Sequence, residues 1–169
     1  MWLTAAVMKK INTNELDELT WTSPSGKFGG AGKQVSEALG RERDSTDLLR
    51  RHPFDVEIQR VQPGKTTCPY HTHSHQWEFY HVISGRGYAR HEGGTTQIVS
   101  GDAFIFKPGE AHAIGNDGEE DLIIYCVADN PIGEMCYYPD SKKWIVPVPA
   151  DLTIRAAGPE SLDYYDGEE

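Results

Sequence analysis

Cysteine is scarce in this sequence: Cys68, Cys126 and Cys136 are the only three among 169 residues, and no two are closely spaced. That makes a disulfide framework or a four-cysteine zinc site improbable. Positive charge is also in short supply, with 16 Lys and Arg against 26 Asp and Glu and a formal net charge of −10. Such a field repels phosphate backbones, so nucleic acid is not an expected partner. Long hydrophobic runs are missing as well. No apolar stretch approaches the ~20 residues of a membrane-crossing helix, so no membrane partner is expected. Residues 1–8 are mildly apolar but lack a basic leader and a long apolar centre. They do not read as a secretory signal, and the cytoplasm is the expected address.

Turn-forming residues, by contrast, are plentiful, with 17 Gly and 10 Pro. The length suits one domain with a real core, and the punctuation suits many short strands better than a helical bundle. Residues 1–53 read as an irregular N-terminal arm, pinned by Trp21 and Phe28 and including a charged, solvated stretch over 41–52. From residue 54 the texture changes. Phe54, Val56 and Ile58 alternate with Asp55, Glu57 and Gln59, the period of a strand with one buried face. Residues 78–84, 103–106, 122–127, 135–138 and 143–148 read as further strands, and Gly93-Gly94 reads as a hairpin turn between two more. The apolar, β-branched run 122–127 suits a central strand, whereas Pro147 and Pro149 push the 143–148 strand to an edge. The barrel is expected over 54–150 and a tail over 151–169, its acidic end 163–169 frayed. The expected class is all-β, a closed sandwich or barrel.

Three of the seven histidines fall in His71-Thr72-His73-Ser74-His75, and Glu78 follows. Imidazoles and a carboxylate are what a borderline divalent metal takes as ligands. On a strand, His71 and His73 share a face. Glu78 lies an odd number of residues beyond His73, so a bend around 74–77 has to re-aim it. A helix would instead align His71, His75 and Glu78, although Pro69 and the β-rich run after Glu78 disfavour that. A surface histidine patch without metal is the plainer alternative. A second segment, running from Gly101 through Pro108-Gly109 to His112 and Asn116, offers a fourth ligand from a distant strand.

At these residues the sequence resembles the cupin superfamily. Gly64, His71, His73, Glu78 and Gly85 match its first motif, with one extra residue between Gly64 and His71. Gly101, Gly109, His112 and Asn116 match the second, with Lys107 in the usual proline position and Pro108 after it. The resemblance spans about residues 54–130 and implies a cupin double-stranded β-helix, a jelly-roll barrel with one metal inside. It implies His71, His73, Glu78 and His112 as the ligands of one divalent transition ion: Mn, Fe, Ni, Zn, Co or Cu. The stretch Asp140-Ser141-Lys142 after Tyr137-Tyr138 looks like the ending of small single-domain bacterial cupins, some of them sugar-phosphate isomerase-like. Arms such as 1–53 often cross to a second subunit in such relatives, which implies a homodimer.

Such a site leaves coordination positions open for Lewis-acid work. Tyr80 shares parity with Glu78 and is the candidate catalytic group, though an ordinary core tyrosine would sit the same way. Arg60 shares parity with Phe54, Val56 and Ile58. Facing inward it would clamp a carboxylate or phosphate; on a strand that ends early it is merely solvated. Phe104 and Phe106 are expected to wall the substrate site. Lys107 and Glu110 are expected at its mouth, and His75, His81 and His91 on the rim or exterior. Cys68 reads as a rim thiol or as a buried, inert one. The expected function is a metal-dependent enzyme on a small oxygenated substrate, a sugar or organic acid, in the manner of an isomerase or epimerase. The alternatives are an Fe-, Cu- or Ni-dependent dioxygenase and a non-catalytic small-molecule or sugar-binding protein.

Overall fold

The computed structural model describes residues 8–43, 45–148, 151–156 and 163–169. The reading of residues 1–8 as leaderless thus falls, for 1–7, outside the described residues, as does Pro149. Among the described residues no helix is long and apolar enough to cross a membrane.

The strands are β1 (Leu19–Thr22), β2 (Gly29–Gln34), β3 (Phe54–Val61), β4 (Thr72–His73), β5 (Glu78–Ser84), β6 (Arg86–His91) and β7 (Gly94–Val99). They continue as β8 (Ala103–Phe106), β9 (His112–Gly115), β10 (Leu122–Asp129), β11 (Cys136–Tyr138), β12 (Lys143–Val148) and β13 (Asp151–Ala156). Two short helices, α1 (Val35–Ala38) and α2 (Leu48–Arg51), interrupt the N-terminal third. A six-stranded sheet runs β1-β2-β3-β10-β5-β8; facing it are a three-stranded sheet, β7-β6-β9, and a four-stranded sheet, β13-β12-β11-β4. The fold is the all-β double-stranded β-helix.

The core lies between the sheets. Val61, Tyr80, Val82, Leu122, Ile124 and Cys126 project from the larger sheet and meet Ala89, Ile98 and Ile114 from β6, β7 and β9. The strand β10 is central, as its composition predicts, flanked by β3 and β5. Its even-numbered residues are buried and its odd-numbered ones half-buried, so both faces are partly covered. Gly85 ends β5 with a φ of +81°, and a Cβ there would run into the carbonyl of Asp121. A tight, left-handed exit of this kind requires glycine.

The structure corrects four sequence expectations. First, the arm contributes structure of its own. Its strands β1 and β2 extend the sheet beside β3, pairing Leu19–Thr22 with Gly29–Gly32 and Ala31–Gln34 with Glu57–Arg60. The glycine-rich β2 gave no alternating signal because so few of its positions carry a side chain to read. Second, Arg41 is not solvated. Its guanidinium is 2.8 Å from Glu37, 2.9 Å from Asp55 and donates to Asn130 at 3.0 Å. Third, β12 runs between β11 and β13 rather than along an edge; Pro147 sits one residue from its end. Fourth, the acidic tail is docked. Lys143 is fully buried with its Nζ 3.1 Å from Glu168, and Ser25 donates its hydroxyl to Glu169 at 2.7 Å.

Candidate metal centre

The segment carrying His71 and His73 lies beside β9 and β11. His71 and His112 are directly opposed: the N–H of His71 donates to the carbonyl of His112 at 3.0 Å, and the reverse bond is 2.8 Å. His73 is opposite Cys136. The chain then bends at Ser74–His75 and is tied by Asp129, which accepts from the Trp77 N–H at 2.8 Å while the Asp129 N–H donates to the Trp77 carbonyl at 3.1 Å. This is the re-aiming that the odd spacing demands, and it turns Glu78 to the same side as the two histidines.

His71, His73, Glu78 and His112 each offer one ligand atom, and these atoms lie within 4.8 Å of one another. Nε2 of His71 is 3.0 Å from Nε2 of His73, Nε2 of His112 is 2.6 Å from Glu78 Oε2, and Nε2 of His73 is 3.5 Å from the same oxygen. Ligand bonds of about 2.1 Å at right angles would space neighbouring donors about 3.0 Å apart. Two of the three imidazoles are held from behind by the backbone. Nδ1 of His71 faces the Pro69 carbonyl at 2.9 Å and Nδ1 of His112 faces the Glu110 carbonyl at 3.0 Å, contacts that turn Nε2 of each ring into the cluster. All three rings are buried, His112 at 2% exposure. The residues present therefore fit a divalent transition ion.

Burial holds His71 down at about 3, with like charge on His112 and His73 adding to it. For His73 burial acts in the same direction, but the hydrogen bonds to Cys136, Glu134 and Glu78 overcome it and raise the group well above its ordinary value. Glu78 is lowered: burial opposes its charge, and the bonds to His112 and His73 outweigh that. Without an ion, the proton on His73 supplies the positive charge that the buried carboxylate requires.

Tyr80 is buried and its hydroxyl donates to Glu78 Oε2 at 2.9 Å. Burial and then the Glu78 charge push the phenol up, so it stays protonated at neutral pH. The ring of Phe104 stacks on Tyr80 at 5.4 Å, and that of Phe106 lies parallel to His112 at 4.1 Å. Both phenylalanines line a cavity of about 460 Å³ whose polar wall is His91, Thr96, Gln97 and Asp102. His75 and His81 are exposed, and His91 bonds to Thr96 at 2.9 Å. Lys107 and Glu110 are exposed and linked, the Lys107 N–H donating to the Glu110 carboxylate at 2.9 Å. Burial pushes the Cys68 thiol up to about 12, which fits the inert alternative. Asn116 closes the loop after His112, donating to the carbonyls of Val61 at 2.7 Å and Glu120 at 2.8 Å.

Of the two positions open to Arg60, the inward one is not taken. It is opposite Ile123, on the sheet face away from Val61 and Tyr80, and its guanidinium is 3.2 Å from Asp121 and also bonds Glu18. Glu57, not Phe54 or Val56, is in the row with Cys126 and Tyr80. Burial raises the Glu57 carboxyl, which Gln59 bonds at 2.8 Å. Glu134 and Tyr138 escaped sequence reasoning altogether. Glu134 stands 3.3 Å from Nδ1 of His73, and the Tyr138 ring stacks 5.8 Å from that of His71. Both come from a stretch far along the chain, where an acid or a tyrosine by itself carries no positional signal.

A family model described as the cupin domain matches residues 57–128. The oxalate-binding protein of Thermotoga maritima is 32% identical over 108 residues, which span 62% of this chain and 83% of that protein. Among solved structures, a sugar phosphate isomerase of the cupin superfamily from Silicibacter pomeroyi superposes with a TM-score of 0.77 at 20% identity, covering 95% of this chain and 100% of that one. A Thermotoga maritima structure described as an oxalate decarboxylase superposes with a TM-score of 0.60 at 20% identity, covering 73% and 100%. The strand order, the two glycine-bounded histidine segments and the extent of the curated relative agree, and this chain belongs to the cupin family.

Proposed function

We propose that the protein is a metal-dependent enzyme acting on a small oxygenated substrate, an organic acid or a sugar, in the manner of an isomerase or epimerase. The observation that carries this reading is the set of buried His71, His73 and His112 with the half-buried Glu78, converging within 4.8 Å. When bound there, a divalent ion would supply Lewis acidity to substrate oxygen. The chain's own residues do the rest. Tyr80 donates its hydroxyl proton to Glu78 beside the ligand atoms, and Phe104 and Phe106 pack against Tyr80 and His112. The relative that binds oxalate supports a carboxylate ligand.

The test is elemental analysis of protein purified without chelators or an affinity metal column, followed by calorimetry with oxalate, a free aldose and a hexose phosphate. At least one of the three should bind, and only to the ion-loaded protein. Binding of none of them by the ion-loaded protein would overturn the substrate reading. A redox-active native ion together with oxygen consumption would favour a dioxygenase, and ligand binding without turnover would favour a binding protein.

The partner we infer is a second copy of the chain. On the outer face of the larger sheet, Ile105, Phe79, Val127 and Val56 stand side by side across four strands. Phe54, Phe79, Ile83 and Ile105 on that face are 39–50% exposed. The row carries no acid, in a chain whose net charge of −10 repels a second copy wherever acids cluster. The pairing of the arm with its own β3 leaves this face open to a second copy. Sedimentation should give twice the chain mass, and Ile105→Glu should reduce it to one chain while the protein keeps its fold. A wild-type monomer at micromolar concentration would overturn the inference.

A further inference from the structure

We propose that Glu134 is the positioning residue for the ligand His73, holding its ring and its Nδ1 proton so that Nε2 faces the ion. The inference rests on the reading that the four converging groups hold a metal.

The three imidazoles are not held alike. His71 and His112 direct Nδ1 to backbone carbonyls, at 2.9 and 3.0 Å. Nδ1 of His73 meets Glu134 Oε1 at 3.3 Å and the Cys136 thiol at 3.4 Å. Of these two, the carboxylate is the stronger acceptor. It is also itself fixed. Glu134 Oε1 accepts from the Ser74 N–H at 2.7 Å, and its Oε2 accepts from the His75 N–H at 2.9 Å. The same turn is cross-linked again, since the Ser74 N–H donates to the Met135 carbonyl at 2.9 Å and the Met135 N–H to the Ser74 hydroxyl at 2.9 Å. One side chain, 16% exposed, thus grips both the imidazole and the bend that follows it.

A charged acceptor behind a ligating imidazole does two things that a carbonyl does more weakly. It fixes the tautomer, and it makes the far nitrogen a better donor to the metal. Outer partners of this kind change metal affinity by about 10- to 100-fold when removed. The loop bearing Glu134 therefore sets the affinity of the centre without touching the ion.

The test uses the full chain and its Glu134→Ala and Glu134→Gln variants, with Co²⁺ and Mn²⁺ affinities measured by chelator competition. Nitrogen-15 NMR of the Zn²⁺-loaded proteins reports the hydrogen bonding of the His73 Nδ1–H, and melting of the ion-free proteins reports the fold. Glu134→Ala should weaken both ions about 10- to 100-fold and shift the His73 Nδ1 signal as its acceptor is lost. Glu134→Gln keeps a neutral acceptor, so it should recover the Nδ1 signal and part of the affinity. That recovery separates positioning from a loss of fold, and it decides the matter if Glu134→Ala does not fold. Wild-type affinity in both variants would overturn the assignment while leaving the metal centre standing. A wild-type chain that binds neither ion would overturn both. Two Co²⁺ per chain, with a thiolate charge-transfer band abolished by Cys136→Ser, would make Nδ1 a ligand to a second ion and also overturn it.

Discussion

His73→Ala is expected to lower affinity for a divalent transition ion by roughly 100- to 1000-fold, and His112→Ala by a similar factor. His81→Ala should leave affinity within about two-fold. The contrast follows from placement. His73 and His112 are buried with Nε2 turned into the cluster, whereas His81 is exposed and opposite Tyr125 on the outer face of the sheet. Elemental analysis together with competition against a chromophoric chelator measures this, and equal losses in His73→Ala and His81→Ala would refute the ligand set. The wild-type centre should also bind less tightly as pH falls. Its neighbours raise His73 above its ordinary value, so the ion-free site carries that proton throughout pH 5–8. Binding releases it, and affinity should therefore climb about ten-fold for each pH unit across that window. His71, held neutral down to about 3, adds no further proton to the exchange.

The second large effect is on stability. Glu168→Ala should destabilise the fold by about 3–5 kcal/mol, because it strands a buried ammonium without its counter-charge. Lys143 has no exposed surface; its Nζ is 3.1 Å from Glu168, donates to the Asp166 carbonyl at 2.7 Å and lies 5.4 Å from the Tyr138 ring centroid. Glu168 accepts in addition from the Ser141 hydroxyl at 2.5 Å. For a domain of this size the melting temperature should fall by about 10 °C. Replacing both partners, as in Lys143→Met with Glu168→Leu, should restore most of the loss, since the buried charge is then absent rather than orphaned. Thermal and urea melts provide the measurement, and a Glu168→Ala variant as stable as wild type would mean that the tail does not dock. The consequence reaches the metal centre. The tail brings Tyr164 against Tyr138, ring centroids 5.7 Å apart, and Tyr138 stacks on His71.

Much of the barrel was legible in the sequence because its signals are local. Alternation placed β3, β-rich runs ending at glycine and Pro-Gly turns placed β5 and β8, the β-branched run placed β10, and Gly93-Gly94 placed the turn between β6 and β7. The histidine spacing put His71 and His73 on one face and called for a bend to bring Glu78 round, and the resemblance to cupins added His112 to complete the set.

Other features were beyond any local rule. Parity groups Phe54, Val56 and Ile58 on one face, but it cannot say which face of a sheet is inside when both are partly covered. The true inner row of β3 holds Glu57 beside Cys126 and Tyr80, and Arg60 is turned away toward Glu18 and Asp121. The buried pair of Lys143 and Glu168 looks like surface charge in any window of the sequence, because burial of a charge depends on the partner and not on its neighbours along the chain.

The sequence by itself determined most strands of the barrel, its turns, and the shared face of His71 and His73 with the bend that Glu78 needs, all of them set by spacing and backbone preference within about ten residues; His112 joined them through the resemblance to cupins. Only the tertiary structure decided which sheet face is interior, how the arm and tail join the barrel, and that Glu134 stands behind His73. Those outcomes depend on contacts between segments tens of residues apart, where desolvation and charge pairing are settled by what the folded chain brings together.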